Sequence, residues 1–329
     1  MHRRTWMAWP AHPDTFARSV AEAQAAYARV ANALCEFEPV AMVVGPDHEG
    51  VARRSLASGI DIHVWPLDDA WMRDIAPSFV LDSGGRMAGV DWRFNDYGNK
   101  DGRNVEGYAN DAAMAARILE HLDCECFPAP LVCEGGALVG DGEGTLVTTE
   151  SVVLNANRNP SATSAEVEAI FQDHLAVNKT IWLTRGLAGD DTDGHADNLA
   201  AFAAPGVVLA LSEHDPHDDN HAALADLHRR LGDARDARGR LLQIIPVPQP
   251  RARVRDGRRL ALSYVNFCLV NGGVLVPAYD DPKRDANARA IIAEAFRGRK
   301  ALSLPSLAIA AGGGSLHCIT HEEPDPCAN

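Results

Sequence analysis

The chain has 329 residues, and its hydrophobic share of 46% is enough to bury a substantial core. Its 31 basic and 45 acidic side chains give a formal charge of −14, which argues against nucleic acid as a partner and favours a cationic ligand. No apolar run suits a secretory leader or a membrane span, so a cytoplasmic enzyme is expected, with no membrane partner.

The first predicted element is a helix over 13–34, where Phe16, Val20, Ala23, Tyr27, Val30 and Leu34 share one face. A shorter candidate lies near 48–58. Cys35 opens a set of seven cysteines with Cys124, Cys126, Cys133, Cys268, Cys318 and Cys327. They form no CxxC pair, and their odd number fits reduced thiols rather than a disulfide framework or a zinc site. Cys124-Glu125-Cys126 alone is a weak candidate for a soft metal.

The stretch 73–82 reads as a strand with a polar start, turning at Ser83-Gly84-Gly85. A helix is predicted over roughly 109–122. A second hairpin begins at Glu134-Gly135-Gly136 and turns at 140–144 into 145–149. Thr163-Ser164-Ala165-Glu166 is a capping box that opens a helix over 164–175. Gly194-His195-Ala196-Asp197-Asn198 begins a third hairpin that turns at Ala204-Pro205-Gly206, and a helix follows Asp218-Asp219. Residues 264–270 and 274–276 flank the turn Asn271-Gly272-Gly273, and a last helix runs to Gly298. The final stretch runs from Gly312 to Thr320, where three glycines allow close backbone approach just before Cys318.

Asp74, Glu134, His195, Asn266 and Cys318 lead these extended stretches at separations of 60, 61, 71 and 52 residues. A hairpin-plus-helix unit used about five times explains that spacing. If such units close around an axis, the polar residues meet in one pocket. An open α/β sheet with polar strand ends fits the pattern equally. No GxGxxG or GxxxxGK[ST] is placed to hold a nucleotide.

Each of these positions has a bland alternative. Cys318 alone reads as a core cysteine, Arg73-Asp74 as a surface ion pair, Glu134 as a solvated strand start, and Asn266 as a backbone ligand. His195 and Asp197, two residues apart on a strand, would point to the same face. Together the positions supply a thiol, an imidazole, three carboxylates and the aromatic plane of Trp71. A thiol with a histidine implies covalent catalysis. Carboxylates around them match the N–H fork of a guanidinium.

The stretches Thr5-Trp6-Met7-Ala8-Trp9-Pro10, 68–77, 94–100, Glu134-Gly135-Gly136, Asn155-Ala156-Asn157-Arg158-Asn159-Pro160, 194–198, 263–267 and 312–320 occur in order over nearly the whole chain. In these stretches the sequence resembles the agmatine deiminases, within a group that includes the bacterial type of peptidylarginine deiminase. The resemblance implies one catalytic domain over 1–329, a five-bladed α/β propeller (the pentein fold) of ββαβ repeats. It implies no metal and no organic cofactor. By the same resemblance Cys318 is the nucleophile and His195 the general acid/base. Glu134 holds a guanidinium nitrogen and orients the histidine, Asp74 and Asp197 clamp the guanidinium, Asn266 supports the site and Trp71 forms a wall.

Asp191 stands where these enzymes usually carry Glu, at the position expected to meet the substrate's distal amine. Ala137, Asp193 and Ala196 replace the usual Ser, Asn and Val. The expected partner is a small cationic guanidino compound, with a homodimer as one option for assembly. The substrate's tail stays open among agmatine, arginine, a peptide C-terminal arginine and other guanidino amines. Amidino transfer and simple guanidine binding are the other readings; a thiol protease has no use for three carboxylates.

Overall fold

The structure, a computed structural model, describes residues 1–13, 15–16, 19–100 and 107–327. Part of the first predicted helix lies outside those residues, and the helix itself, α1, runs Val20–Leu34 with Ser19 accepting from the Glu22 N–H as its N-cap.

One connectivity recurs. In the sheet of β4 (Ser78–Leu81), β5 (Met87–Arg93) and β6 (Glu125–Val132), the first pair is antiparallel and the second parallel. A parallel pair needs a crossover, supplied here by α2 (Met114–His121). The same order builds β7 (Val139–Gly140), β8 (Thr145–Thr149), α3 (Ser164–Leu175) and β9 (Lys179–Leu183). It builds β10 (Ala200–Ala204), β11 (Val207–Ser212), α4 (His221–Asp233) and β12 (Gln243–Pro248). After a small hairpin of β13 (Val254–Arg255) and β14 (Arg258–Arg259), it builds β15 (Cys268–Val270), β16 (Gly273–Ala278), α5 (Pro282–Ala295) and β17 (Lys300–Pro305).

The fifth such sheet joins the two ends of the chain. β18 (Thr320–Pro324) pairs antiparallel with β1 (His2–Ala8), and α1 crosses to the parallel β2 (Val40–Val44), with β3 (Asp61–Val64) added outside. The register sets Met7 opposite Thr320, and Trp6 Nε1 donates to Glu323 Oε2 at 2.8 Å. That pairing brings the turn carrying Cys318 back to the N-terminal strand.

Strands buried on both faces read as unbroken apolar runs, as in Val40-Ala41-Met42-Val43-Val44, which is wholly buried. The crossover helices also reach the neighbouring sheet, and Phe171 of α3 packs edge-on to Trp92 of β5 in the preceding one. The capping box opening α3 forms as the sequence predicts, with Thr163 and Glu166 capping each other. Among the described residues no helix is long and apolar enough to cross a membrane.

Candidate active site

The polar residues singled out in the sequence lie on the turns that lead into the first strand of each sheet, and not on the strands. Asp74 sits in the short helix Met72–Ile75 ahead of β4, and Glu134 directly precedes the 3-10 turn Gly135–Ala137. His195 caps the 3-10 turn Ala196–Asn198 that contains Asp197. Asn266 and Cys318 each stand two residues before their strands, β15 and β18. The strand reading of 194–198 therefore fails, because Gly194, at φ +112, turns the chain there. The turn still brings His195 and Asp197 together, with Nδ1 at 2.5 Å and Oδ2 at 3.2 Å from where a Cβ on Gly136 would stand.

The thiol of Cys318 is buried, with Sγ 3.5 Å from Asn266 Oδ1 and 3.8 Å from Asp197 Oδ2. The His195 ring lies between two carboxylates, Nδ1 3.7 Å from Asp74 Oδ1 and Nε2 3.7 Å from Glu134 Oε2. These are charge contacts too long for hydrogen bonds. Three atoms of this cluster, His195 Nε2, Glu134 Oε2 and Asp197 Oδ1, are buried without a hydrogen-bond partner. Orphaned buried acceptors are costly unless a donor reaches them, and a guanidinium carries such donors.

Glycines make the approach possible. A Cβ on Gly136 would stand 2.5 Å from His195 Nδ1 and 2.9 Å from Asp74 Oδ1. On Gly314 it would meet Trp71 Cζ3 at 2.4 Å and Cys318 Cβ at 3.0 Å. Gly314 thus lies between Trp71 and Cys318, and the indole is fixed by Nε1 donating to Asp69 Oδ2 at 3.0 Å. We expect Gly136→Ala to cut kcat/KM about 100-fold while the protein still folds, as a side chain displaces the imidazole. Unchanged kinetics would place the reacting centre elsewhere.

Asp191 is the one sequence candidate set apart from the cluster. Its Oδ1 pairs with Arg258 of the β13–β14 hairpin, beside a cavity of about 240 Å3 that Phe16, Arg255 and Gly313 also line. Arg73 is also placed differently from the surface pair considered in the sequence. It is buried, pairs with Glu322 at 2.6 Å, and its backbone N–H donates to Cys318 O at 3.1 Å.

Six contacts were not assigned from sequence. Tyr97 OH donates to Asp74 Oδ2 at 3.0 Å, and the Gly136 N–H donates to Asp74 Oδ1 at 2.8 Å. Arg158 Nε donates to Glu134 Oε1 at 2.7 Å, with both side chains fully buried, and its other nitrogens reach Asp193 and the Thr192 carbonyl. His317 Nδ1 lies 2.8 Å from Asp197 Oδ2. Arg158 falls inside the motif at 155–160, whereas nothing near His317 in sequence signals a partner.

Burial and like charge tune this cluster in opposite directions. Burial, together with Asp197 and Glu134, pushes Asp74 up to about 6 against the pull of His195 and the Gly136 N–H. For His195, burial opposes the charged form, yet Asp74, Glu134 and Asp197 outweigh it and lift the imidazole to about 9. Burial, then the charges of Asp197 and Asp74, raises the Cys318 thiol well above its ordinary range. At neutral pH the resting site therefore pairs a thiol with an imidazolium.

A buried thiol, an imidazole and three carboxylates stand together on an α/β scaffold of ββαβ units, a set of groups whose charge and acceptors match a planar cation. The family profile of the Porphyromonas-type peptidyl-arginine deiminases matches residues 1–324. An agmatine deiminase of Stutzerimonas stutzeri is 42% identical over 345 aligned positions, covering 99% of this chain and 94% of the relative. The solved agmatine deiminase of Enterococcus faecalis superposes with a TM-score of 0.95 at 32% identity, covering 99% of this chain and 94% of that one. The more distant DDAH of Pseudomonas aeruginosa, at 15% identity and a TM-score of 0.52 over 98% of this chain and 99% of its own, shares the fold. The chain belongs to the Porphyromonas-type peptidyl-arginine deiminase family.

Proposed function

We propose that this chain hydrolyses a guanidino compound to a ureido product and ammonia, with agmatine as substrate and N-carbamoylputrescine as product. The observation that carries the reading is the buried Cys318 thiol beside Asp197, with Asp74 and Glu134 on the two nitrogens of His195. The chain acts as one catalytic unit, its five ββαβ sheets arranged as blades of a pseudo-fivefold propeller. That arrangement is supported by the repeated connectivity and by β18 pairing with β1. Its place is the cytoplasm, and light scattering tests the homodimer option.

A guanidinium between Asp74, Asp197 and Glu134 donates N–H groups to their oxygens, which holds its charge and its plane. Its arrival offsets the like charges that keep the Cys318 thiol protonated. The sulfur then bonds to the central carbon, and the thiol proton passes to the site's basic groups. His195, protonated in the resting site, gives a proton to the departing nitrogen, and the C–N bond breaks to release ammonia. An amidino group remains on Sγ. The now neutral imidazole takes a proton from water as its oxygen bonds to carbon, the C–S bond breaks, and the ureido product leaves with Cys318 restored.

Asp191 faces the tail of the substrate in this reading. A tail ammonium has to compete with Arg258 for its carboxylate, and exposed ion pairs of that kind are weak, roughly 0–1 kcal/mol. The test is ammonia release from agmatine, arginine, an arginine-terminated peptide and other guanidino amines, with mass spectrometry of the quenched protein. Agmatine as best substrate with an amidino adduct on Cys318 supports the proposal. Ammonia without any adduct on Cys318 overturns the covalent route.

The elevated thiol predicts a pH signature. With the Cys318 pKa above its ordinary range, the thiolate fraction keeps growing past the pH where a free cysteine levels off. Alkylation by neutral iodoacetamide should therefore still be accelerating at pH 9.5. A plateau below pH 8 would contradict the buried, acid-flanked thiol.

A further inference from the structure

Asp197 enters the site between two neighbours on one turn. Its Oδ2 is 2.8 Å from His317 Nδ1 and 3.8 Å from Cys318 Sγ, while its Oδ1 is buried with no hydrogen-bond partner. An ionised carboxylate only accepts hydrogen bonds, so Nδ1 of His317 is the nitrogen that carries the hydrogen toward it. Asp197 is ionised in this setting: burial opposes its charge, but His317, His195 and Arg73 hold it below the usual carboxylate range.

His317 is itself fixed through its backbone. Its N–H donates to Asn266 Oδ1 at 3.1 Å, and its carbonyl accepts from Arg73 Nε at 3.3 Å. Asn266 Oδ1 also takes the Cys318 thiol at 3.5 Å, so one amide oxygen indexes both residues of the turn. The His317 side chain borders a second cavity of about 290 Å3, lined also by Arg73, Asp197, Phe202, Phe267 and Glu322. Cys318, His195 and Glu134 do not line that cavity, whereas Asp197 does.

We propose that His317 is a positioning residue that pins Asp197 through Oδ2 and leaves Oδ1 for the substrate's N–H, an inference that rests on the reading of Asp197 as a guanidinium clamp. A carboxylate turns easily about its terminal torsion, and a thiol at 3.8 Å restrains it weakly. A hydrogen bond from the residue next to the nucleophile fixes the clamp relative to the sulfur. Misplacing a clamp by a fraction of an ångström is costly to a reaction that depends on orientation.

The test compares alkylation of Cys318 by 2-chloroacetamidine and by 2-chloroacetamide. The two share a leaving group, but only the first carries the planar cation. The wild-type protein should react faster with the amidine. In His317→Leu that preference should fall about tenfold or more, as for other supports of a site residue. In His317→Asn, whose amide nitrogen occupies the place of Nδ1, it should stay within about threefold of wild type. Turnover should follow the same order, with KM rising more than kcat falls. An unchanged preference in His317→Leu, an equal fall of both rates, or an equal fall in the Leu and Asn variants would overturn the proposal. A wild-type protein with no preference for the amidine would overturn the guanidinium clamp itself, and the role of His317 with it.

Discussion

Replacing Cys318 by alanine is expected to lower ammonia release from agmatine by about 10⁴-fold or more, the scale seen when a covalent nucleophile is removed. The reason is geometric as well as chemical. Among the described residues no other thiol hydrogen-bonds to the Asp197 or Asn266 side chain: Cys268 lies beside Glu322, and Cys133, though next to Glu134 in the chain, turns its sulfur to the Glu134 carbonyl and is held protonated by burial. The variant should still bind agmatine, because Asp74, Glu134 and Asp197 are untouched and one fewer polar group is buried. Calorimetry on the variant reads that binding, and a quenched-flow assay reads the chemistry. Turnover within tenfold of wild type would remove Cys318 from the mechanism.

Arg158 carries the second large effect. Its Nε bond to Glu134 joins two fully buried side chains, and it is also tied to Asp193 at 2.7 Å. Breaking a buried ion pair from one side leaves an uncompensated charge, at a cost of about 3–5 kcal/mol. Arg158→Leu should therefore unfold at markedly lower urea and lose activity, since Glu134 then loses the partner that holds its carboxylate in place beside His195. Burial raises the Glu134 pKa, and His195 and Arg158 together bring it below the usual range, so removal of Arg158 moves it upward. Glu134→Gln combined with Arg158→Leu should recover stability without recovering turnover. A single variant as stable as wild type would show that the pair contributes nothing to the fold.

Several features were legible because their physics is local. The capping box at Thr163 to Glu166 and the apolar spacing behind it specify a helix over 164–175 with no reference to the rest of the chain. The glycines before Cys318 are demanded by neighbours, as a Cβ on Gly312 would run into Phe16 at 2.3 Å, and their run is visible in the sequence alone. Asp74, Glu134, His195, Asn266 and Cys318 could be picked out because each precedes an apolar run.

What the pattern could not distinguish was a strand start from a turn. His195 and Asp197 have the spacing of strand neighbours, yet they belong to a 3-10 turn whose hydrogen bonds leave no periodic trace in two or three residues. The partners that tune the site were equally hidden. Arg158 meets a carboxylate 24 residues away, His317 one 120 residues away, and Arg73 one 249 residues away. Such pairs depend on where the folded chain brings the charges, and burial sets their strength. The sequence by itself thus determined the repeating unit and the chemical groups. The tertiary structure alone decided which charge faces which, because that depends on sheets closing distances no local propensity encodes.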